Sequence, residues 1–271
     1  MNFRDIEVST KTIIGVSNAI IDIQNVFRRL PVDPHGENDT RIVLLYFGNE
    51  KRGFYPNPKR KQGSRKSFRN AINVVTVLDN HKKINFKVSK NGKFQMTGCR
   101  REEDAIRVVC HFLDLVLATC REDVALPFGT ARVYFQTVMT NIDFSVGFCI
   151  DRQKLDRVVN AQTTYHSLLE TSCGYTGVNI KIPLTMPWWE MEVPCVEKTA
   201  DGWRRYERCL DDLAAFAPDN KSRKRYNTFL VFHSGNVIMS GMVGLTMEKD
   251  FEVFTHFLRE QRKEIQERVV L

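Results

Sequence analysis

Two stretches of alternating hydrophobic and polar residues, far apart in the chain, share one pattern. Residues 83–99 and 226–243 each predict a strand, a two-residue turn and a second strand that ends at a glycine. The turns are Asn91-Gly92 and Ser234-Gly235, and the closing glycines are Gly98 and Gly241. A hydrophobic helical period follows each hairpin. A hairpin and helix repeated at wide separation predict a chain that folds as two related halves.

The rest of the periodicity fills in both halves. Strands are predicted at 5–16, 41–47, 70–78, 132–146 and 177–183. Helices are predicted at 19–30 with Asn18 as its cap, 102–120, 154–160, 165–169 and 248–268. One more helix is expected where Trp203, Tyr206, Leu210 and Leu213 fall at helical spacing before Pro218.

The order of elements divides the chain into residues 1–125 and 126–271, each interrupted by an insertion. The first insertion, about 31–69, holds eight basic and no acidic residues between Lys51 and Arg69. Such a run is either a solvated loop or a flexible arm that contacts phosphates, and the sequence leaves both open. The second insertion, about 184–221, holds all three tryptophans.

Composition narrows the class of protein. A net charge of +8 over 271 residues, with a pI near 9.1, favours anionic partners. The seven cysteines form no C-x-x-C pair, which argues against a zinc module or a disulfide framework and favours a reducing, intracellular compartment. We expect no membrane span and no signal peptide. The scattered histidines and the lack of phosphate-binding loops predict a protein that is not an enzyme and needs no cofactor.

Four segments together resemble the TATA-box-binding protein family, in the divergent two-repeat form of large DNA viruses. They are FLVFHSGNVIMSG, TGCRREEDAIRV, YTGVNIKIP and FQTVMTNIDF. The resemblance covers most of the chain and implies an α+β saddle. In this fold a curved antiparallel sheet carries long helices on its convex face, and its concave face lies on the minor groove of DNA. The family drives aromatic wedges between base steps, which bends the duplex.

Carried onto this sequence, the resemblance assigns the wedge positions to Phe232, Tyr175 and Phe68, while the fourth falls on Ser89, which is not aromatic. The remaining minor-groove positions are Thr10, Thr12, Thr137, Met139, Lys87, Gln95, Thr97, Leu230, Ile238 and Ser240. Candidate phosphate contacts are Lys93, Lys181, Arg223, Lys224 and Arg225.

Alternation alone predicts that the two hairpins differ. The second exposes a mainly apolar face with Leu230, Phe232 and Ile238, whereas the first exposes Lys87, Ser89 and Gln95. An apolar face leaves the amino donor of guanine unsatisfied, and Gln95 can accept it. We therefore expect the second half to favour A·T steps and the first half to tolerate or read G·C.

The predicted function is a DNA-bending factor that recognises promoter elements and starts transcription. Its partners would be double-stranded DNA, a transcription factor IIB-like protein and the RNA polymerase machinery, with the chain acting as a monomer in the host nucleus or a viral replication factory. The alternative is an interaction module that keeps the fold and no longer binds DNA. Trp188, Trp189 and Trp203 would then form a partner-binding surface, or else a satellite core.

Overall fold

In the computed structural model, antiparallel strands with helices packed on one face make an α+β fold. The structure describes residues 1–36, 39–55, 70–169, 177–213, 224–242 and 244–267. Two units are distinguished by their internal contacts. Unit 1 is residues 1–11, 138–189 and 220–271, and unit 2 is residues 12–137 and 190–219. The units therefore cut the chain differently from the sequence repeats, because β1 (Val8–Ser17) and β9 (Arg132–Ser145) each give one part to each unit.

The other strands are β2 (Ile20–Ile21), β3 (Arg41–Phe47), β4 (Glu50–Gly53), β5 (Ala71–Val77), β6 (Lys83–Ser89), β7 (Lys93–Cys99), β8 (Val124–Ala125), β10 (His166–Leu169), β11 (Gly177–Pro183), β12 (Glu192–Thr199), β13 (Gly202–Cys209), β14 (Tyr226–Phe232) and β15 (Asn236–Gly241). The helices are α1 (Ile23–Arg29), α2 (Glu102–Thr119), α3 (Arg152–Gln162), α4 (Gly244–Glu260) and α5 (Arg262–Ile265). Among the described residues, no helix is both long and apolar enough to cross a membrane.

The predicted duplication is present in the strand registers. Strands β5 and β6 pair so that Ala71 lies opposite Ser89, and β11 and β14 pair so that Gly177 lies opposite Phe232, over seven residue pairs in each case. The hairpins also match, since Lys87 faces Gln95 where Leu230 faces Ile238. The edge strands correspond in position, because β3 pairs with β5 and β10 pairs with β11, although a register shift between Ile42 and Leu44 interrupts the first pairing. A position in one unit therefore has a defined counterpart in the other.

In unit 2, α1 and α2 cover one face of the sheet. The alternate residues Ile84, Phe86 and Val88 of β6 point to that face, and all are buried. Phe112 of α2 packs edge-on against Phe86, with ring centroids 5.7 Å apart. Burial of these rings, worth about 2 kcal/mol each, fixes which face of the sheet the helix covers.

In unit 1, α3, α4 and α5 cover the corresponding face. Phe229 and Val231 of β14 and Met239 of β15 are fully buried there. The ring of Phe254 on α4 lies 4.1 Å from that of Phe229, which mirrors the contact between α2 and β6. These helices do not pack on the opposite face of either hairpin.

Two predicted helices are strands. Residues 166–169 form β10, which pairs with β11, because the free edge of β11 supplies backbone hydrogen-bond partners for an extended segment. The Trp203 to Leu213 segment forms β13 and a short 3-10 turn, Asp211–Leu213, and not a helix. Strand β12 also pairs with residues 132–134 of β9.

The predicted cap of α1 is also wrong. Asp22 caps it by accepting from the backbone of Gln24 and Asn25, whereas Asn18 is buried and bonds Thr130 and Arg132. Arg52, from the basic stretch, donates to the carbonyls of Phe27 and Leu30 at the other end of the helix. It therefore stabilises the end of α1, and the rest of the basic arm from 56 to 69 lies outside the described residues.

Asp250 of α4 gives unit 1 a pH-dependent stability. Burial raises the pKa of its carboxyl group, although the amide of Asn227, which donates to it at 2.7 Å, lowers it in part. The folded chain thus holds this proton to higher pH than the unfolded chain, so stability falls as pH rises above about 4, the ordinary aspartate value. Asp250→Asn keeps an acceptor for Asn227 and does not titrate. We expect the melting temperature of the variant, relative to that of the wild type, to rise as the pH is raised from about 3 to 7. A difference that stays constant over this range would contradict the assignment.

Candidate nucleic-acid interface

The sheet face of unit 1 that its helices leave uncovered is called here the open face of unit 1. One row of residues crosses it in register, on β10, β11, β14, β15 and β9: Leu168, Asn179, Leu230, Ile238 and Asp143. Leu168 is 60% exposed, and Leu230 and Ile238 are half-buried. Three apolar side chains in one row give this face the character of a docking surface.

Phe232 lies at the end of β14 on the same face. Its neighbours Val231 and Phe229 point the other way and are fully buried, whereas Phe232 is only half-buried. Its register partner is Gly177, where a Cβ atom would come within 2.6 Å of Leu230 Cδ1. The lack of a side chain at Gly177 therefore leaves room for Leu230 beside Phe232. The Ser234-Gly235 turn, with Gly235 at φ +79°, then reverses the chain directly after the ring.

An open depression of about 970 Å³ lies beside this ring. Its lining includes Phe232, His233, Asn236 and Ile238, together with the charged residues Asp143 and Arg152. Phe232 thus stands at the rim of a concave surface that mixes apolar and charged groups.

The open face of unit 2, the side of its sheet away from α2, is polar at the matching positions. Asn73, Lys87 and Gln95 form the row that corresponds to Asn179, Leu230 and Ile238. Asn85 and Thr97 form the next row, and both are exposed. Ser89, which matches Phe232, donates to Asn91 Oδ1 at 2.5 Å and thereby belongs to its own hairpin turn. The wedge position of this half is therefore occupied by a turn-stabilising hydroxyl.

Two parts of the chain cover the ends of this second open face. Tyr55 packs on a cluster of Val43, Leu44, Val75 and Val77, and the ammonium of Lys83 lies 4.6 Å from its ring centroid. At the other end a satellite core joins Tyr134, Val193 and Cys195 to Val16, Met191, Tyr206, Leu210 and Leu213. The polar surface of β6 and β7 lies between these two covers.

The threonines of the central strands divide into different environments. Thr137 was expected on the open face, but it is only 7% exposed and its hydroxyl donates to Glu102 Oε1 at 2.5 Å. The prediction that Thr137 contacts the minor groove is therefore wrong, because Glu102 at the start of α2 accepts a hydrogen bond from its hydroxyl group. Met139 is 38% exposed. Thr10 and Thr12 are half-buried, and Thr12 lies on the side of β1 opposite the buried Ile13.

The candidate phosphate contacts also separate. Lys93, Lys181 and Lys224 are exposed. Arg225 instead lies with its guanidinium carbon 4.9 Å from the ring centroid of Trp188, so it acts as a stacking partner. Arg223, Tyr175 and Phe68 lie outside the described residues.

The tryptophans serve mainly as internal contacts. Trp188 is 7% exposed and stacks edge-on against Trp189, with centroids 5.8 Å apart. Trp203 packs on the core of unit 2, and its indole nitrogen donates to the Asp114 carboxylate of α2 at 3.0 Å. Of the two predicted roles, the structure favours an internal packing role for Trp203 over a partner-binding surface. Its contact with α2 holds the β12–β13 hairpin in place.

Two residues of the open face of unit 1 were missed by sequence reasoning. Leu168 was hidden by the helical assignment of 165–169, although matching this segment to β3 would have predicted a strand. Asp143 was not among the predicted site residues, although it alternates with the buried Ile142 and Phe144 along β9. Its register with Ile238 puts a carboxylate beside the apolar row.

Three of the buried cysteines have raised pKa values. Burial raises the pKa of Cys99 and of Cys195 to about 11, and that of Cys110 to about 12, so these thiols stay protonated near neutral pH. The described part of the chain also contains no group of three or more metal-ligating side chains.

Comparison with known proteins finds relatives in viruses, while no protein-family model matches the chain. It is 26% identical over 232 residues to the uncharacterised protein 335L of Invertebrate iridescent virus 6, which covers 82% of this chain and 67% of the relative. It is also 26% identical over 207 residues to the TATA-box-binding protein-like protein of Acanthamoeba polyphaga mimivirus, covering 67% of this chain and 55% of that protein. This chain therefore spans little more than half of the mimivirus relative.

Among solved structures, the TATA-box-binding protein of Methanococcus jannaschii aligns over 94% of this chain and 98% of its own, at 12% identity and a TM-score of 0.47. The sequence similarity to the mimivirus protein coincides with a fold in which two repeats pair their strands in one register. Over two thirds of its length the chain is thus similar in sequence to a viral TATA-box-binding protein-like protein.

Proposed function

We propose that this protein binds double-stranded DNA in the minor groove and bends it at promoter elements, so that transcription can start. The observation that carries the proposal is the outward-facing set of Phe232, Leu230 and Ile238 on the open face of unit 1. Apolar side chains displace groove water, and an aromatic ring at the rim can enter a base step. The unstacking cost of a few kcal/mol is offset by the extra contact that bent DNA makes.

Electrostatics supports an anionic partner. The net charge of +8 includes exposed lysines in both units, Lys93 on β7 of unit 2 and Lys181 on β11 of unit 1. Such residues supply affinity and not sequence choice, since they contact the phosphate backbone. The proposal includes no chemical reaction. A transcription factor IIB-like protein and RNA polymerase would be recruited to the bent DNA inside the infected cell.

The experiment that tests the proposal is a binding isotherm on short duplexes across a salt series. Counterion release predicts that the logarithm of the affinity falls linearly with the logarithm of the salt concentration, with a slope of about −0.9 for each phosphate contacted. Attachment of dyes at the two duplex ends reports bending in the same samples. Absence of any salt-dependent binding to duplex DNA would overturn the proposal.

A second candidate function is an interaction module without DNA binding. Two observations favour it, the carboxylate of Asp143 on the open face of unit 1 and the self-bonded Ser89 at the wedge position of unit 2. In that case binding of duplex DNA would be weak, and the apolar row would take a protein segment. The salt series separates the two functions, since a protein partner does not release the counterions of a polyanion.

Asp143 gives a direct prediction for the DNA proposal. A carboxylate beside the apolar row repels the phosphates on either side of the groove, so Asp143→Asn should raise the affinity for duplex DNA by about threefold at low salt. The gain should shrink as salt screens the charge. Glu252→Gln is the matched control, because it removes an exposed negative charge from α4 on the helix side of unit 1. Equal gains in both variants would show that only net charge matters.

A further inference from the structure

We infer that the open face of unit 2 is a separate nucleic-acid site, which binds single strands by stacking their unpaired bases on aromatic rings. The residues that carry the inference surround the outer edge of this sheet, where β4 pairs with β3. All of them belong to unit 2. The inference therefore goes beyond the proposed function and does not depend on it.

The charge of this face favours an anionic ligand. Cross-strand partners lie on the same face of a sheet, so the register identifies the open-face residues of β3 to β7. None of these positions, all of which the structure describes, is acidic, because the single carboxylate of the five strands belongs to Glu50, which pairs with Phe47 on the core side. The basic residues on the open-face side are Arg41, Lys51, Lys83, Lys87 and Lys93.

Aromatic rings lie among these lysines at the edge of the sheet. Tyr46 is 37% exposed and is the register partner of Lys51. Phe54, which directly follows β4, is 54% exposed, and the ammonium of Lys51 lies 5.7 Å from its ring centroid. Tyr55 is half-buried, with the ammonium of Lys83 over its ring. Single-strand-binding proteins combine the same two groups, since rings stack on base faces and cations contact the phosphates.

The backbone holds these rings in place without a ligand. Strand β3 has a register shift at Val43, and the carbonyl oxygen of this residue accepts from the backbone N–H of Phe54 at 3.0 Å. Gly53 makes this approach possible at φ +82°, since a Cβ atom there would lie 2.3 Å from the same carbonyl oxygen. The chain then places Tyr55 on the apolar cluster of β3 and β5. A fixed platform of this kind loses little conformational entropy when a base stacks on it.

The exposed rings favour unpaired bases over a duplex. Within a duplex the base faces stack on one another, and a protein reaches only base edges and the backbone. A ring at the edge of a sheet stacks on a base only when that base is unpaired. The position of unit 2 that matches the wedge residue Phe232 is Ser89, whose hydroxyl is bonded within its own turn. A single strand of DNA or RNA therefore fits this face.

The first test measures the binding of labelled oligothymidylate and oligouridylate by fluorescence anisotropy at low salt. Probes of about 12 nucleotides lie within the known range of single-strand site sizes. We expect the full chain to bind at least one of them, and the comparison of the two identifies DNA or RNA as the preferred source. Phe54→Ala and Tyr46→Ala should each weaken this binding about tenfold, because each removes one stacking surface. Both side chains are exposed, so we expect both variants to stay folded.

Phe232→Ala is the matched control, because it removes an aromatic ring from the open face of unit 1. It should leave the affinity for single strands unchanged while it lowers the affinity for duplex DNA. Phe54→Ala should show the reverse pattern. A loss of single-strand affinity in Phe232→Ala, with none in Phe54→Ala or Tyr46→Ala, would overturn the inference.

An abasic oligonucleotide of the same length separates stacking from charge, since it keeps the phosphates and lacks the bases. The wild type should bind it more weakly than oligothymidylate, and Phe54→Ala should bind it as the wild type does. Lys51→Gln and Lys83→Gln should each reduce the magnitude of the salt slope by about 0.7, the value for one phosphate contact on a single strand. Equal wild-type affinities for the abasic and base-bearing strands would contradict the inference. Failure to bind either single strand at low salt would also overturn it, while leaving the proposed duplex binding intact.

Discussion

Phe232→Ala should lower the affinity for duplex DNA by about 2 kcal/mol, or roughly thirtyfold, while the protein stays folded. The ring is half-buried at the end of β14 and lies on the face opposite Phe229 and Val231, which form the core. Its removal therefore costs the interface a stacking surface and leaves the packing of α4 intact. Fluorescence anisotropy with a labelled duplex, at two salt concentrations, measures the change.

The slope of the logarithm of affinity against the logarithm of salt concentration distinguishes a stacking contact from a charge contact. Phe232 contacts no phosphate by this account, so the slope should stay the same in Phe232→Ala while the affinity falls. Phe128→Ala is the matched control, because Phe128 is 59% exposed in the segment before β9. Equal affinities of Phe232→Ala and the wild type would contradict the role of the ring, as would an equal loss in the control.

Gly241→Ala should destabilise the protein by about 3 kcal/mol, as insertion into a packed site does. A Cβ atom at this position would lie 2.2 Å from Asn227 Oδ1 and 2.6 Å from Met247 Cγ. Asn227 is fully buried and bonded to Asp250, so it cannot move aside without losing that bond. Thermal unfolding should show a melting temperature lower by roughly 10 °C.

Gly98, the counterpart of Gly241 in the first repeat, supplies the comparison. It has φ +84°, and no atom lies within 4 Å of a Cβ built on it. Gly98→Ala should therefore cost only backbone strain, about 1 kcal/mol. The same sequence feature, a glycine that closes a hairpin, thus has different physical causes in the two repeats. A larger loss at Gly98 than at Gly241 would show that the clash around Asn227 relaxes readily.

Sequence alone was sufficient for the hairpins because two independent constraints agree there. Alternation assigns each residue of β6 and β14 to a face, and the Asn-Gly and Ser-Gly turns fix the register. The sequence also predicted the long helices α2 and α4, since many residues in each follow one helical hydrophobic period. Because these elements carry the open faces, the placement of Phe232 and Gln95 followed from the sequence.

The Trp-rich insertion could not be assigned because its spacing satisfies two structures. Trp203, Tyr206 and Leu210 lie three and four residues apart, which puts them on one side of a helix. In strand β13 Trp203 and Tyr206 fall on opposite faces, and Trp203 packs toward α2 while Tyr206 joins the satellite core. Both side chains find apolar surroundings only because β12 pairs with β9, a contact between residues far apart in the chain.

The prediction for Thr137 was wrong for a related reason. Its assignment rested on the family resemblance, which contains no information about Glu102. This residue lies 35 positions away and accepts a hydrogen bond from the hydroxyl group of Thr137. Long-range polar contacts of this kind appear only in the folded chain. The edge strand β10 was missed because four residues are too few to establish a period, although the repeat itself predicts its existence.

The proposed function places DNA on the open face of unit 1. Methyl NMR on protein labelled at isoleucine, leucine and valine, titrated with a duplex chosen in the binding assay, tests this directly. The account predicts that the methyl signals of Leu168, Leu230 and Ile238 shift, while that of Val253 on the outer side of α4 stays in place. Shifts at Val253 with none at Leu230 and Ile238 would contradict it.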